Sequence, residues 1–271
     1  MSEEFPRESN AKRKMLLDAV AAIGNRCPHR FAPLDRGTVV GDTIQCPYHG
    51  LRFDRTGACV HRPGASEGTG LAAARVPSWR VVERHGLVWF WAGDAAQADD
   101  AAIPDLHWLD DPTRAQCVGN LLHSRANYLL TIDNLMDLSH VEFVHGGSLG
   151  SPGMSSGKMQ VRETPRRIEA NRWMPGIEAP PAIGAAMGYS GIVDHWLDMT
   201  WLAPSNLVLH VGLTSPGAGR ENGRESVSFH LLTPETERSC HYFWANSRPF
   251  NTDKPELIEI ERSRIAHAFV V

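Results

Sequence analysis

The chain has 271 residues, a formal net charge of −4 and an apolar fraction of 42%. That length suits two average domains with cores of their own, and the near-balanced charge argues against a nucleic-acid partner. No run of about 18 apolar residues and no signal-peptide pattern occurs, and Met1 to Met15 is charged and polar, which predicts a cytoplasmic protein without a membrane span.

From about residue 16 to 95 the sequence reads as short strands separated by Gly, Pro and Asp turns, an all-β unit. Within it, Cys27-Pro28-His29 and Cys46-Pro47-Tyr48-His49 place two thiolates and two imidazoles on matching loops. Pro28 and Pro47 restrain the backbone beside the donors, and Gly50 follows the second His where a turn needs an unhindered residue. This is the donor set of a Rieske [2Fe-2S] cluster. One iron takes the two sulfurs and the other the two nitrogens, and the neutral imidazoles raise the reduction potential above that of an all-Cys cluster. A Cys2His2 zinc site uses the same side chains, but zinc sites more often pair Cys with Cys and His with His within each half. Cys59, Cys117 and Cys240 remain as dispersed thiols, and no disulfide framework is implied.

Ala95 to Pro112, rich in Ala, Asp and Pro, reads as a connector, and a boundary near 118 divides the chain into domains 1–118 and 119–271. The second domain opens on an apolar helix over Asn127 to His145, in which Asn134, Asp137, His140 and His145 form N-x2-D-x2-H-x4-H. Asn134, Asp137 and His140 step by three along one drifting stripe of that helix. His145 leaves the stripe, so the two imidazoles meet one metal only if the helix is bulged or ends, as Gly146-Gly147 suggests. Two His and a carboxylate with open positions form the facial triad of non-haem Fe(II) oxygenases. On these residues alone, hydrogen-bonded core positions are the competing assignment.

A Gly/Ser/Pro-rich loop follows from Gly146 to Gly157. Strands are predicted over Arg167 to Trp173, His195 to Trp201, Asn206 to Leu213 and Ser226 to Leu232, with a helix over Arg262 to Val271. The second domain is therefore expected to be α+β, with an antiparallel sheet and few helices. His210 and His230 each sit opposite the apolar face of a strand and are candidates to orient a carboxylate or phenol oxygen of a substrate; the alternative for both is a structural hydrogen bond.

The stretches Asn25 to Arg30, Cys46 to Asp54, Arg75 to Trp79 and Gly86 to Asp94 resemble the Rieske domain of the ring-hydroxylating and O-demethylating aromatic oxygenases, specifically their terminal oxygenase (alpha) component. The Asn134 to His145 spacing is similar to that of the vanillate O-demethylase and dicamba monooxygenase branch. The resemblance implies an all-β Rieske domain followed by a helix-grip catalytic domain. It makes Cys27, His29, Cys46 and His49 the cluster ligands, and His140 and His145 ligands of a mononuclear Fe(II). Asp137 becomes the carboxylate bridging to a neighbouring subunit's cluster, and Asn134 a residue near the iron. It further implies a ferredoxin or flavin reductase fed by NAD(P)H, an aromatic small-molecule substrate with O2, and a head-to-tail homotrimer. The product is then a phenol with formaldehyde, or a cis-diol in the dioxygenase branch. In relatives an acidic third iron ligand comes shortly after the counterpart of Ala266 to Val271, where this sequence stops. Glu256, Glu259 and Glu261 precede that place. On this reading the second domain is truncated at its C-terminus, and a Rieske electron-transfer protein or an inactive fragment is the alternative.

Overall fold

The computed structural model describes residues 20–64, 74–119 and 121–268, and the chain divides into two units, Met1–Ile103 and Pro104–Val271. The N-terminal stretch Met1 to Lys14 and residues 269–271, both part of the sequence expectations above, lie outside the described residues.

The first unit is built of short antiparallel strands: β1 (Ala22–Ile23), β2 (Thr38–Val40), β3 (Thr43–Gln45), β4 (Arg52–Phe53), β5 (Cys59–His61), β6 (Ser78–Trp79), β7 (Val81–Arg84) and β8 (Leu87–Phe90). β2 to β5 form a meander, β1 pairs with β6, and β7 and β8 make a hairpin. Strands of two to four residues hold together here because Leu34, Leu51, Phe53, Cys59 and Val76 bury against one another behind the Cys loops. Gly57 is required at one close approach, since a Cβ there would stand 2.1 Å from the Val76 carbonyl oxygen.

The second unit is an eight-stranded antiparallel sheet: β9 (Ala115–Val118), β10 (Leu122–Ser124), β11 (Lys158–Thr164), β12 (Arg167–Glu178), β13 (Ile192–Leu202), β14 (Asn206–Thr214), β15 (Arg224–Thr236) and β16 (Ser239–Arg248). Its order runs β10-β16-β15-β14-β13-β12-β11, with β9 sharing the β16 edge with β10. β11 is the far edge, exposed throughout and rich in charge, which suits an unpaired rim. The helices are α1 (Tyr128–Met136), α2 (Val141–Val144), α3 (Pro181–Met187) and α4 (Glu256–Ala268). The core gathers Leu138, Met174, Leu197, Met199, Leu213 and Trp244.

The expected fold class holds, with local corrections. The division falls at 103/104 and not near 118, because β9 hydrogen-bonds to β16 and draws residues 104–118 into the second unit. Within the expected connector, Asp94 and Asp99 cap short 3₁₀ turns by accepting from Ala96 and Ala101 N–H. The four predicted strands are present and longer than expected, whereas β16, with buried residues on both faces, escaped a search for strict alternation. The last helix begins at Glu256, a turn and a half before Arg262. The helix expected over Asn127 to His145 is broken: α1 stops at Met136, and His140 and His145 bracket the single turn of α2.

Candidate functional site

The first unit places Cys27, His29, Cys46 and His49 on two loops with one hydrogen-bonding pattern. The Cys27 N–H donates to the Ala32 carbonyl at 3.0 Å and the Phe31 N–H returns to the Cys27 carbonyl at 2.8 Å. Correspondingly, the Cys46 N–H donates to Leu51 at 2.8 Å and the Gly50 N–H to Cys46 at 3.1 Å. Each loop turns through a positive φ at the fourth residue after its Cys, 59° at Phe31 and 71° at Gly50. Glycine takes that conformation freely; at Phe31 it costs about 1–2 kcal/mol, and the Arg26 guanidinium lies 4.2 Å over the Phe31 ring. Both thiols are buried and both imidazoles face outward, with the His29 and His49 rings 4.6 Å apart. Burial, reinforced by the neighbouring Cys46, holds the Cys27 thiol above its ordinary pKa.

Among the described residues no three His, Cys, Asp or Glu side chains converge as the ligands of one ion would. Two paired sulfurs and two paired nitrogens instead fit a two-iron cluster, which shares its donors between two metal atoms.

In the second unit, α1 starts at Asn127, whose side chain accepts from the Leu129 N–H at 2.9 Å. It ends because the Asp137 carboxylate turns back to accept from the Ser139 N–H at 3.0 Å and from the Ser139 hydroxyl, an Asx turn that competes with the helix. These bonds, the hydroxyl's first, hold the Asp137 carboxyl below the usual carboxylate range. The chain then makes the single turn of α2, pinned by Glu142 accepting from the N–H groups of Gly153 at 3.1 Å and Ser155 at 2.6 Å.

This break brings His140 and His145 together, rings 5.2 Å apart and 69° inclined. Nδ1 of His140 donates to the Asp137 carbonyl, which leaves Nε2 for another partner. The His145 carbonyl accepts from the Ser148 N–H at 3.1 Å, the Ser148 hydroxyl at 2.9 Å and the Gly150 N–H at 2.9 Å, fixing that residue's backbone. His145 Nδ1 is buried without a hydrogen-bond partner. Burial, then the neighbouring His140, lowers the His145 pKa and favours the neutral imidazole that a metal requires. An orphaned ring nitrogen beside a second imidazole fits a bound metal ion.

Both imidazoles line an apolar cavity of about 330 Å³, within the size range of small-molecule sites. One wall is the sheet face formed by Leu197, Met199, Leu209, Val211 and Trp244; α3 and α4 supply others. His230 faces this cavity, its Nδ1 2.6 Å from the Tyr242 hydroxyl and its Nε2 3.0 Å from Ser228 Oγ. Burial pulls its pKa down to about 4, so the ring is neutral near neutral pH.

His210 is not brought to the site. Leu209 and Val211 line the cavity, so strand alternation turns His210 to the opposite face, where Nδ1 meets Glu225 at 2.8 Å. Asn134 is exposed on α1 and is not among the lining residues, and the Asp137 carboxylate is engaged by Ser139. Glu256 is exposed, and Glu259 pairs with Arg262 at 2.7 Å. Glu261 lines the cavity but pairs with Arg248 at 3.2 Å. Sequence reading passed over Arg248 and Asn246, two buried polar lining residues on β16; an arginine in an aromatic-rich strand was the available signal.

Residues 11–80 match the Rieske [2Fe-2S] domain, and residues 124–270 match the vanillate O-demethylase oxygenase C-terminal domain. The chain is 41% identical to the oxygenase component of dicamba O-demethylase from Stenotrophomonas maltophilia, over 93% of this chain and 74% of that protein. The chain belongs to the Rieske O-demethylase oxygenase family. Within that family, the vanillate O-demethylase oxygenase subunit of a Pseudomonas species is 36% identical over 88% of this chain and 74% of its own length. Dicamba monooxygenase has been solved with 3,6-dichlorosalicylic acid (TM-score 0.85, 39% identity, 92% of this chain and 73% of that one). It has also been solved with non-heme iron and dicamba (TM-score 0.75, 38% identity, 89% and 69%). This chain is accordingly an oxygenase component with a Rieske [2Fe-2S] domain, and multicomponent systems of that kind include electron-transfer partners. Among the described residues no helix is long and apolar enough to cross a membrane.

Proposed function

We propose that this chain is a terminal oxygenase that uses O2 to O-demethylate, or otherwise mono-oxygenate, an aromatic compound bound in the cavity of its second unit. Cys27, His29, Cys46 and His49 hold the [2Fe-2S] cluster, which receives electrons from a ferredoxin or flavin reductase fed by NAD(P)H. His140 and His145 hold a mononuclear Fe(II), and when bound that iron supplies the dioxygen-activating chemistry. The observation that carries this reading is that two imidazoles, one with an unpartnered buried nitrogen, line an apolar cavity of substrate size.

The chain's own residues prepare that cavity in three ways. Leucine, methionine and valine side chains make its walls apolar. The neutral His230, held between Tyr242 and Ser228, adds a polar group without adding charge. The Asp137 carbonyl orients the His140 ring.

Apolar side chains flank each candidate metal site. Tyr48 is 64% exposed on the second cluster loop and Phe143 is 73% exposed on α2. We assign these faces to subunit contacts in a homotrimer where one subunit's cluster serves a neighbour's iron, with Asp137 at the junction. Mass measurement in solution tests the assembly.

The test of function is metal and sulfide analysis of anaerobically handled protein, followed by oxygen uptake and formaldehyde release with a reductase and a series of methoxybenzoates. Cluster iron plus mononuclear iron, with substrate-dependent uptake, is the expected result. Cluster iron alone would make the chain a Rieske electron-transfer protein.

A further inference from the structure

The single turn that separates His140 from His145 is held from behind, by groups outside the cavity. Glu142, inside α2, accepts from the N–H groups of Gly153 and Ser155, which flank Met154 in the chain. Met154 is fully buried; its sulfur takes the Ser151 N–H at 3.2 Å and its carbonyl takes Nη1 of Arg172 at 3.3 Å. The Ser151 hydroxyl donates to the Glu178 carbonyl at 2.7 Å, so this loop is tied to β12 at two points. A continuous path of hydrogen bonds and covalent chain therefore leads from β12 through the loop to the turn between the two imidazoles.

Arg172 is the member of that path that packing alone does not account for. It is 7% exposed and is not among the residues that line the cavity. Its contacts are long: 3.3 Å to the Met154 carbonyl and 3.6 Å from Nη2 to the Met159 sulfur, with no partner at Nε. A buried guanidinium held by such bonds is costly, and an apolar side chain would fill the place with less penalty. What the charge does is reach two carboxylates. Bonds from Ser139 hold the Asp137 carboxyl below its usual range and bonds from Ser155 do the same for Glu142; the positive charge of Arg172 adds to both. One buried cation thus serves the carboxylate that ends α1 and the carboxylate that pins α2, the two groups that fix where His140 and His145 stand.

We propose that Arg172 is a positioning residue for the His140–His145 pair, acting through the Met154 loop and Glu142 without touching metal or substrate. The role rests on the assignment of that pair as a metal site, and metal affinity separates it from the oxygenase activity. Residues that orient metal ligands in this way are worth a measurable part of the affinity.

The test uses the full-length protein with its cluster oxidised, and therefore diamagnetic, and its mononuclear site emptied by a chelator and titrated with Co(II). Competition with a chromophoric chelator gives the affinity, and the Co(II) EPR line shape reports the ligand geometry. Arg172→Met is expected to weaken Co(II) binding about 10–100-fold and to change the line shape, with the cluster absorbance unaltered. Arg172→Lys keeps the charge and a donor for the Met154 carbonyl, and should recover most of the loss. Glu142→Gln, at a partly exposed position, should also weaken binding, and it carries the test if Arg172→Met does not fold. Because both residues act through one loop, the double variant should bind no more weakly than the weaker single one. Wild-type Co(II) affinity in Arg172→Met or in Glu142→Gln, even with a lowered melting temperature, overturns the positioning role. Fully additive losses in the double variant overturn it too. An unsubstituted protein that takes up no Co(II) at the pair removes the metal site and the role together. Arg172-dependent metal binding without oxygen uptake on any aromatic leaves the role standing and removes the oxygenase reading.

Discussion

The cluster loops and the histidine pair are both candidate metal sites, yet they are made differently. Each cluster loop is a local object. Six consecutive residues close on themselves through the same two backbone bonds, with Phe31 and Gly50 in equivalent left-handed turns. The sheet behind them supplies little more than a buried floor of Leu34, Phe53 and Val76. The His140–His145 pair depends on a helix that stops early, on Glu142 reaching Gly153 and Ser155, and on Gly150 standing where a Cβ would come within 2.1 Å of the Val141 carbonyl oxygen. Local closure tolerates change elsewhere in the chain. A site assembled across a broken helix and a sheet is exposed to perturbation in any of its walls.

The largest expected effect comes from breaking the local site. Cys46→Ser removes one of two sulfur donors, and the purified protein should lose its visible absorbance, its acid-labile sulfide and all turnover, with the second unit still folded by circular dichroism. Retention of the chromophore would show that Cys46 is not a ligand. Breaking the assembled site is next. His145→Ala should keep the cluster signal, lose the additional iron and lower turnover by more than about a hundredfold, since even outer-shell changes at metal sites typically cost about 10–100-fold. Cluster and iron lost together would contradict the independence of the two sites.

Asp137→Asn sharpens the comparison further, because an amide oxygen still accepts from the Ser139 N–H and preserves the turn. Both metals should remain and turnover should fall about 10–100-fold, seen as slow reoxidation of the reduced cluster in single-turnover experiments. Unchanged kinetics would reduce Asp137 to a helix terminator.

The smallest effect concerns stability in acid. Burial pulls His195 and His230 down to about 4 from an ordinary 6.5. Between those values the unfolded chain binds more protons than the folded one, so stability rises with pH and is complete above about 6.5. Each residue adds on the order of 3 kcal/mol, lost as pH falls toward 4. Thermal melts from pH 7 to 4.5 should show the decline, and His195→Gln should flatten it; an equally steep decline in that variant would place the acid sensitivity elsewhere.

Some of the assembled site could have been recognised earlier. Asp137 followed two residues later by Ser139 is an Asx-turn signature, and it announces the end of α1 that the three-residue stripe concealed. The alternation in β14 and β15 places His210 and His230 opposite their apolar neighbours, but alternation is blind to which face of each strand the cavity occupies. Arg248 stands out in the sequence only as an arginine in an aromatic-rich strand; its partners Glu261, Phe250 and Asn251 lie on or before a helix that returns to the sheet, and local order does not show them.

Taken alone, the sequence determined the candidate cluster donors and their place on two tight loops, the antiparallel class of the second unit and the family to which the chain belongs. These depend on short-range spacing, on backbone restraint by Pro and Gly, and on the period-two pattern of strands. Tertiary structure alone decided how closely His140 approaches His145, the face on which His230 but not His210 meets the cavity, and the pairing of Arg248 with Glu261. Each is set by which distant strand or helix fills the remaining space, and one chain's local order carries no record of that.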